Sequence, residues 1–269
     1  MLNLERVKKE LKKFDRYNFY EEPHIYTYLE DDGTETPVGI SVTTLIEKYE
    51  NPFDEDRVAE LKAKKEGISK QEILDKWHFD RDFACCKGTH THAYNEYLWK
   101  QEELYEYDKD KVIEEFGKDV IEPVWDKLKK ICDSFYKKFK DNLIPVGLEQ
   151  VIGSRDYDIA GTIDFLAYSK KLDAIIIIDY KTNREIKKSS FNAIRMLSPL
   201  DDIPDCNYYH YSLQLAVYKN ILEKETKLKV YPKKWLIWIN ENNDNFKLYE
   251  CSNLDDKAKE ILELRKTKK

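Results

Sequence analysis

The chain has 269 residues, of which 41% are hydrophobic and 36% charged, with a formal net charge of −6. That length admits one large domain or two small ones with a proper core, and the composition excludes a disordered chain. The apolar run Ile175 to Ile178 is far too short to cross a bilayer, so no membrane partner is expected.

The first residues, MLNLERVKKE, carry charge where a secretory signal needs an apolar core, which argues against export by that route. Residues 3–14 then have an amphipathic helical pattern. His24 to Leu29 alternates as a strand, and Asp31-Asp32-Gly33 is its turn. Ser41 to Tyr49 predicts a capped helix ended by Asn51-Pro52, and helices are expected from there to about residue 141. Pro145 to Ile152, Ala160 to Tyr168 and Ala174 to Lys181 predict three strands, the first two joined by a turn at Arg155 to Asp158. The third is one Ala and four Ile before its polar end, the composition of a central strand covered on both faces. A connection of about 25 residues with Pro199 and Pro204 follows, unusual for a compact domain unless it has a function. Residues 208–224 return to a helix, and Lys234 to Ile239 with Phe246 to Tyr249 predict a hairpin around Asn242 to Asn245.

Five cysteines (Cys85, Cys86, Cys132, Cys206 and Cys251) include an adjacent pair and an odd member. They form no disulfide framework and are expected as reduced thiols of a cytoplasmic protein. Acidic net charge does not advertise a nucleic-acid binder, but local basic patches suffice to touch phosphates. Candidates are Lys8, Lys9, Lys12 and Lys13, the stretch Lys127 to Lys140, Arg184 to Lys188, and Arg265 to Lys269. Each alone also reads as a solvated helix face or tail.

Chemistry concentrates at Ile178-Asp179-Tyr180-Lys181. Side chains alternate along a strand, so Asp179 and Lys181 emerge on one face and Tyr180 on the other. A carboxylate and an ammonium at the mouth of an apolar strand cost desolvation. Upstream, Asp164 lies in Gly161-Thr162-Ile163-Asp164 on the neighbouring strand. Two carboxylates beside a lysine form a hard-oxygen site suited to Mg²⁺ or Mn²⁺; Asp179 and Lys181 alone could equally be a strand-end salt bridge. In Gly88-Thr89-His90-Thr91-His92, His92 shares a helix face with Glu96, and Gln214 has the same relation to Tyr218. Singly, these residues fit ordinary amphipathic helices.

In order, Gly-Thr-x-x-His, Gly-Thr-Ile-Asp, Asp-Tyr-Lys-Thr and Gln-x-x-x-Tyr resemble the RecB-type branch of the PD-(D/E)XK nucleases, which includes mitochondrial genome-maintenance and phage exonucleases. The four blocks span residues 88 to 218. Ser41-Val42-Thr43-Thr44, after a hairpin starting near His24, also looks like the phage and mitochondrial members. The resemblance implies an α/β fold, a mixed central β-sheet flanked by helices with a restriction-endonuclease-like core and a mostly helical N-terminal portion. Residues 1–87 would be an N-terminal hairpin and helical portion packed on a nuclease core of residues 88–269. It also implies His92, Asp164, Asp179 and the Tyr180 carbonyl as ligands of one or two Mg²⁺ or Mn²⁺ ions. Lys181 would be the catalytic lysine, with Glu149 a further acidic position. Gln214 and Tyr218 would support the site and contact DNA, beside Arg184, Lys187 and Lys188, with Glu96 and Thr182 in support. Some relatives hold an iron–sulfur cluster through one cysteine before the core and three after the Gln-x-x-x-Tyr helix; here only Cys251 follows that helix, so no cluster is expected.

His90-x-His92 also resembles the first metal pair of amidohydrolase barrels, but only His210 follows and eight βα units are lacking. A silent nuclease-fold DNA-binding module would be free to lose Asp164, Asp179 or Lys181, and all are present. An endonuclease of the same fold is compatible with the four blocks. The expected activity is a DNA exonuclease threading a single strand from an end. Net charge −6 disfavours a broad cationic face, while 19 Tyr and 5 Trp supply rings for stacking, with Tyr208, Tyr209 and Tyr211 crowded near Tyr218. The N-terminal portion would arch over the core, and Asn183 to Tyr208 would be mobile without DNA. By resemblance the setting is phage or viral, in the host cytoplasm, with a role in replication, repair or recombination.

Overall fold

A computed structural model describes residues 4–101 and 109–266. The expected N-terminal helix is present as α1 (Leu4–Leu11) with a 3-10 turn after it. Three short strands follow, β1 (Tyr17–Tyr20), β2 (Ile25–Leu29) and β3 (Glu35–Pro37), in an antiparallel sheet of their own. β1 was not foreseen, because Pro23 and the charges at Glu21 and Glu22 mask its alternation with β2.

β4 (Ile40–Ser41) leads directly into α2 (Val42–Glu47), where the Ser41 hydroxyl accepts the Thr44 amide as the N-cap. α3 (Glu55–Glu66) starts on an Asp54 cap and stops at Gly67, whose φ of 71° suits glycine. α4 (Lys70–Lys100) begins with a full capping box of Ser69 and Glu72. α5 (Lys109–Phe116) and α6 (Lys118–Phe139) complete the helical stretch. The boundary expected between residues 87 and 88 falls inside α4, so no chain break marks it.

The main sheet adds β5 (Leu143–Ser154), β6 (Ile159–Ser169), β7 (Ala174–Lys181), β8 (Trp235–Trp238) and β9 (Lys247–Glu250) to β4, with α7 (Asn207–Glu225) and α8 (Asp255–Lys266) packed against it. It is a mixed sheet flanked by helices, as expected for a restriction-endonuclease-like fold. β7 has the predicted bounds. Its isoleucines divide by the period of two: Ile175 and Ile177 join the core under α7, Ile176 and Ile178 the core under α6. α8 was not foreseen; Ala258, Ile261 and Leu262 bury its apolar side.

β6 decides where the site forms. One edge pairs with β5 along its length, while the other is shared between β4 at Ile159 and Ala160 and β7 at Phe165 to Ser169. β6 and β7 part after the pair Phe165–Ile178, and β7 runs on beside β8 to Lys181. Asp164 and Asp179 are the first residues beyond that fork.

The connection after β7 corrects the expectation of a mobile segment. Ile186, Met196, Leu200 and Ile203 are buried in the main core. Met196 donates its amide to Ile203, and Leu197 donates to Tyr49. The polar and proline-rich composition concealed four apolar anchors. Among the described residues no helix is long and apolar enough to cross a membrane.

Candidate metal centre and active site

Where β6 and β7 separate, backbone groups lose their ladder partners, and side chains replace them. The Tyr180 amide donates to Asp164 Oδ2 at 2.8 Å. Lys181 Nζ lies 2.7 Å from Asp179 Oδ2, as the shared strand face requires. Asp179 is 1% exposed, and its Oδ1 meets no hydrogen-bond donor among the described residues. An isolated buried carboxylate oxygen is costly unless something else occupies its lone pairs.

α4 presents His92 to the same fork. Its Nδ1 lies 3.2 Å from Glu149 Oε1 and its Nε2 3.7 Å from Asp164 Oδ2. Ligand atoms of His92, Glu149 and Asp164 all fall within 4.8 Å of one another. Glu149 sits opposite Asp164 in the β5–β6 ladder, where the pairing skips from Leu148 to Gln150. Its φ of 44° is a conformation that costs a non-glycine residue about 1–3 kcal/mol, strain typical of functional positions. Glu149 is thus more central than its sequence context suggested, while Asp179 stands beside the trio, tied to Lys181.

Electrostatics follow from this crowding. Burial pushes Asp164 up, with Glu149 adding to the rise against His92 and Lys181. Burial and Asp164 bring Asp179 to about 6 in spite of Lys181. Burial opposes charge on His92, but Asp164 and Glu149 outweigh it and hold the imidazole at about 9. Burial likewise opposes charge on Lys181, and Asp179 and Asp164 reverse that to raise it. A set of one imidazole and hard carboxylate oxygens, with Asp179 Oδ1 open beside it, fits a divalent ion such as Mg²⁺ or Mn²⁺.

Other sequence candidates fall into three places. Glu96 lines a cleft of about 560 Å³ with His92 and Glu149, and Thr182, just after β7, faces α4 at Gly88. Gln214 Nε2 donates to the Tyr218 hydroxyl at 3.0 Å, but Tyr218 is 2% exposed and presses on Gly161, where an added Cβ would sit 2.8 Å from its ring. Burial keeps Tyr218 from touching DNA, so only the supporting half of its expected role is available, and Gln214 alone borders a cleft. Arg184 and Lys187 line a separate cleft of about 420 Å³. Lys188 Nζ lies over the Tyr208 ring at 4.6 Å.

His90 takes no part. It is 1% exposed, stacks on Trp125 at 4.7 Å, and burial with Lys129 and Lys109 lowers it to about 3. Helical spacing points it away from His92, which removes the amidohydrolase pair. One residue of the site, Tyr26, escaped the sequence reading, and the contacts of Tyr211 were not foreseen. The Tyr26 hydroxyl meets Thr162 Oγ1 at 3.0 Å; the Tyr211 ring lies 4.6 Å from Lys181 Nζ; and its hydroxyl donates to Asn183 Oδ1 at 2.7 Å. Pairing of Tyr26 with Phe19 across β1 and β2 was the missing signal.

Lys13 is engaged by Glu10 and the Glu225 carbonyl, and Lys127 by Asp244. Thr267 to Lys269, the end of the predicted basic tail, lie outside the described residues.

The sequence profile of the PD-(D/E)XK nuclease superfamily matches residues 72–267. No curated protein matches. Matches to solved chains number 15. One, the crystal structure of SSO0001, is 20% identical with a TM-score of 0.25 over 51% of this chain; the match spans 54% of that chain.

Proposed function

Since this chain belongs to the PD-(D/E)XK nuclease superfamily, we propose that it is a divalent-metal-dependent deoxyribonuclease, an exonuclease that acts on single-stranded DNA ends. The observation that carries the reading is the convergence of His92, Glu149 and Asp164 within 4.8 Å, with the Lys181–Asp179 pair at 2.7 Å on the adjoining strand.

In this reading His92, Asp164, Asp179 and Glu149 hold Mg²⁺ or Mn²⁺, with the Tyr180 carbonyl at the same strand end. A bound ion of this class supplies charge neutralisation at the phosphate and lowers the pKa of water. The residues do the rest. Lys181, charged and held by Asp179, donates to the non-bridging phosphate oxygens, whose charge grows in the transition state; a fixed cation there is worth about 2.7–4 kcal/mol. The Tyr211 ring lies 4.6 Å from the Lys181 ammonium, a cation–π contact that favours this position. Asp164 also receives the Tyr180 amide on Oδ2, the same oxygen that lies 3.7 Å from His92 Nε2, so one carboxylate ties the strand fork to the candidate ligands. Gln214 and Tyr218 brace the floor, and Arg184, Lys187 and Lys188 supply phosphate contacts.

Preference for a single-stranded end is supported by the cleft at the metal centre, which Phe19, His24 and Tyr26 line and which, among the described residues, no Lys or Arg lines. Free thiols at all five cysteines accord with a reducing cytoplasm. The test compares linear single strands with covalently closed single-stranded circles of equal length, with Mg²⁺ or Mn²⁺. Cleavage of the linear strand alone is expected; equal rates on circles would overturn the exonuclease assignment and favour an endonuclease.

A further inference from the structure

The three-stranded sheet β1–β3 precedes residues 72–267, the stretch that the superfamily profile matches, yet it walls the metal-site cleft. Tyr17 and Phe19 share a face of β1. Tyr17 is buried over Gly153 of β5, where an added Cβ would sit 2.3 Å from its ring, and that contact seats the sheet. One step along, Phe19 pairs with Tyr26 across the ladder and reaches the cleft. Its ring lies 4.7 Å from Tyr26 at 33° and 5.0 Å from His24 at 89°. Tyr26 is in turn tied to Thr162, two residues from Asp164.

The cleft is therefore floored by His92 and Glu149 and walled by three aromatic side chains. Among the described residues no Lys or Arg lines it, and Glu21, Glu96 and Glu149 do. Glu96 is paired with Lys100 at 2.6 Å and Glu149 lies 3.2 Å from His92, so the lining itself offers a bare phosphate backbone little, whereas a neutral planar ring needs no cation. Its volume of about 560 Å³ falls in the range of small-ligand sites. Aromatic side chains accept any unpaired base by stacking, but a base inside a duplex is already stacked and paired.

We propose that Phe19, with His24 and Tyr26, forms the base-stacking wall for an unpaired nucleotide whose phosphate lies at His92, Glu149 and Asp164. The inference rests on the nuclease reading above and makes the N-terminal sheet the element that selects unpaired substrate.

Affinity is measured by fluorescence anisotropy in Mg²⁺, in a Lys181→Ala background that suppresses cutting. The probes are a thymidine strand of about 12 nucleotides, a strand of equal length whose residues are all abasic tetrahydrofuran, and a blunt duplex. Phe19→Ala is expected to weaken the thymidine strand about 5- to 150-fold, the loss of one stacked base. The abasic strand and the duplex should be unaffected, and Phe19→Tyr should restore binding. His24→Ala should give a smaller loss of the same selectivity. Equal loss on thymidine and abasic strands, or loss on neither, overturns the proposal. Should Phe19→Ala not fold, a 5-iodouracil strand photocrosslinked to the otherwise unaltered protein must label residues 17–29; labelling elsewhere alone overturns it too. Selective base loss in a protein whose parent cuts no DNA would sink the nuclease reading and leave this site standing. Cutting without selective loss would do the reverse.

Discussion

On one side of the metal centre, between β1–β3 and α4, lies a cleft with Glu21, Glu96 and Glu149, the rings of Phe19, His24 and Tyr26 and, among the described residues, neither Lys nor Arg. On the other, beyond Lys181, the cleft formed by the connection after β7 is lined by Arg184 and Lys187 beside Glu185 and Asp205, with Phe191 at its edge 81% exposed. The first gathers rings and acidic groups, and the second sets two basic side chains beside two acidic ones. A net charge of −6 is thus an average over surfaces of different make-up, and a weak guide to what a site binds.

The largest effect expected lies at the centre between the two clefts. Chelation by EDTA should abolish cleavage, and Mg²⁺ or Mn²⁺ should restore it, in a protein with no visible iron–sulfur absorbance. Activity that persists in EDTA, or bound iron, would remove the premise. Next, Asp164→Ala, Asp179→Ala and Lys181→Ala should each lower the single-turnover rate by about 100-fold or more while circular dichroism stays native. Wild-type turnover by Lys181→Ala would sink the role of that lysine.

Salt dependence sharpens the contrast between the clefts. Arg184→Ala and Lys187→Ala should each flatten the slope of log affinity against log salt by about 0.7 for a single strand. Phe19→Ala should leave that slope unchanged, and a basic cleft whose removal did not alter it would be only a solvated loop.

The smallest effect concerns how the basic cleft is held. Asp205 lines it and accepts the Asn51 amide at 2.8 Å, the Asn51 side chain at 2.7 Å and His210 Nε2 at 2.7 Å. Burial would raise its pKa, but the Asn51 and His210 bonds outweigh that and lower it. A carboxylate lowered by folding stabilises the native state above its unfolded pKa of about 3.9, and that stability is lost as pH falls through the lower folded value. Denaturant midpoints should therefore fall less on acidification in Asp205→Asn than in the parent. Identical acid sensitivity would remove Asp205 as the anchor.

Much of the core was legible because its signals are local. The isoleucine run of β7 announces a strand buried on both faces, and Asp179 and Lys181 at its end stand out against it. Ser41 before an apolar repeat marks the start of α2, as the Thr44 hydrogen bond bears out. The connection after β7 was misjudged because Met196, Leu200 and Ile203 are scattered among prolines and serines with no periodicity.

Sequence alone determined the order of His92, Asp164, Asp179 and Lys181 and which of them share a strand face, because alternation acts between neighbours in the chain. Tertiary structure decided the rest. The β5–β6 register and the positive φ of Glu149 bring that side chain to His92. Divergence of β6 from β7 opens the site after Phe165 and Ile178. Gly161 admits Tyr218 so closely that the tyrosine is buried. Tyr17 on Gly153 brings Phe19 to the metal cleft from a distant part of the chain. These are relations between strands and helices distant in sequence, fixed by packing, and no local pattern of residue types contains them.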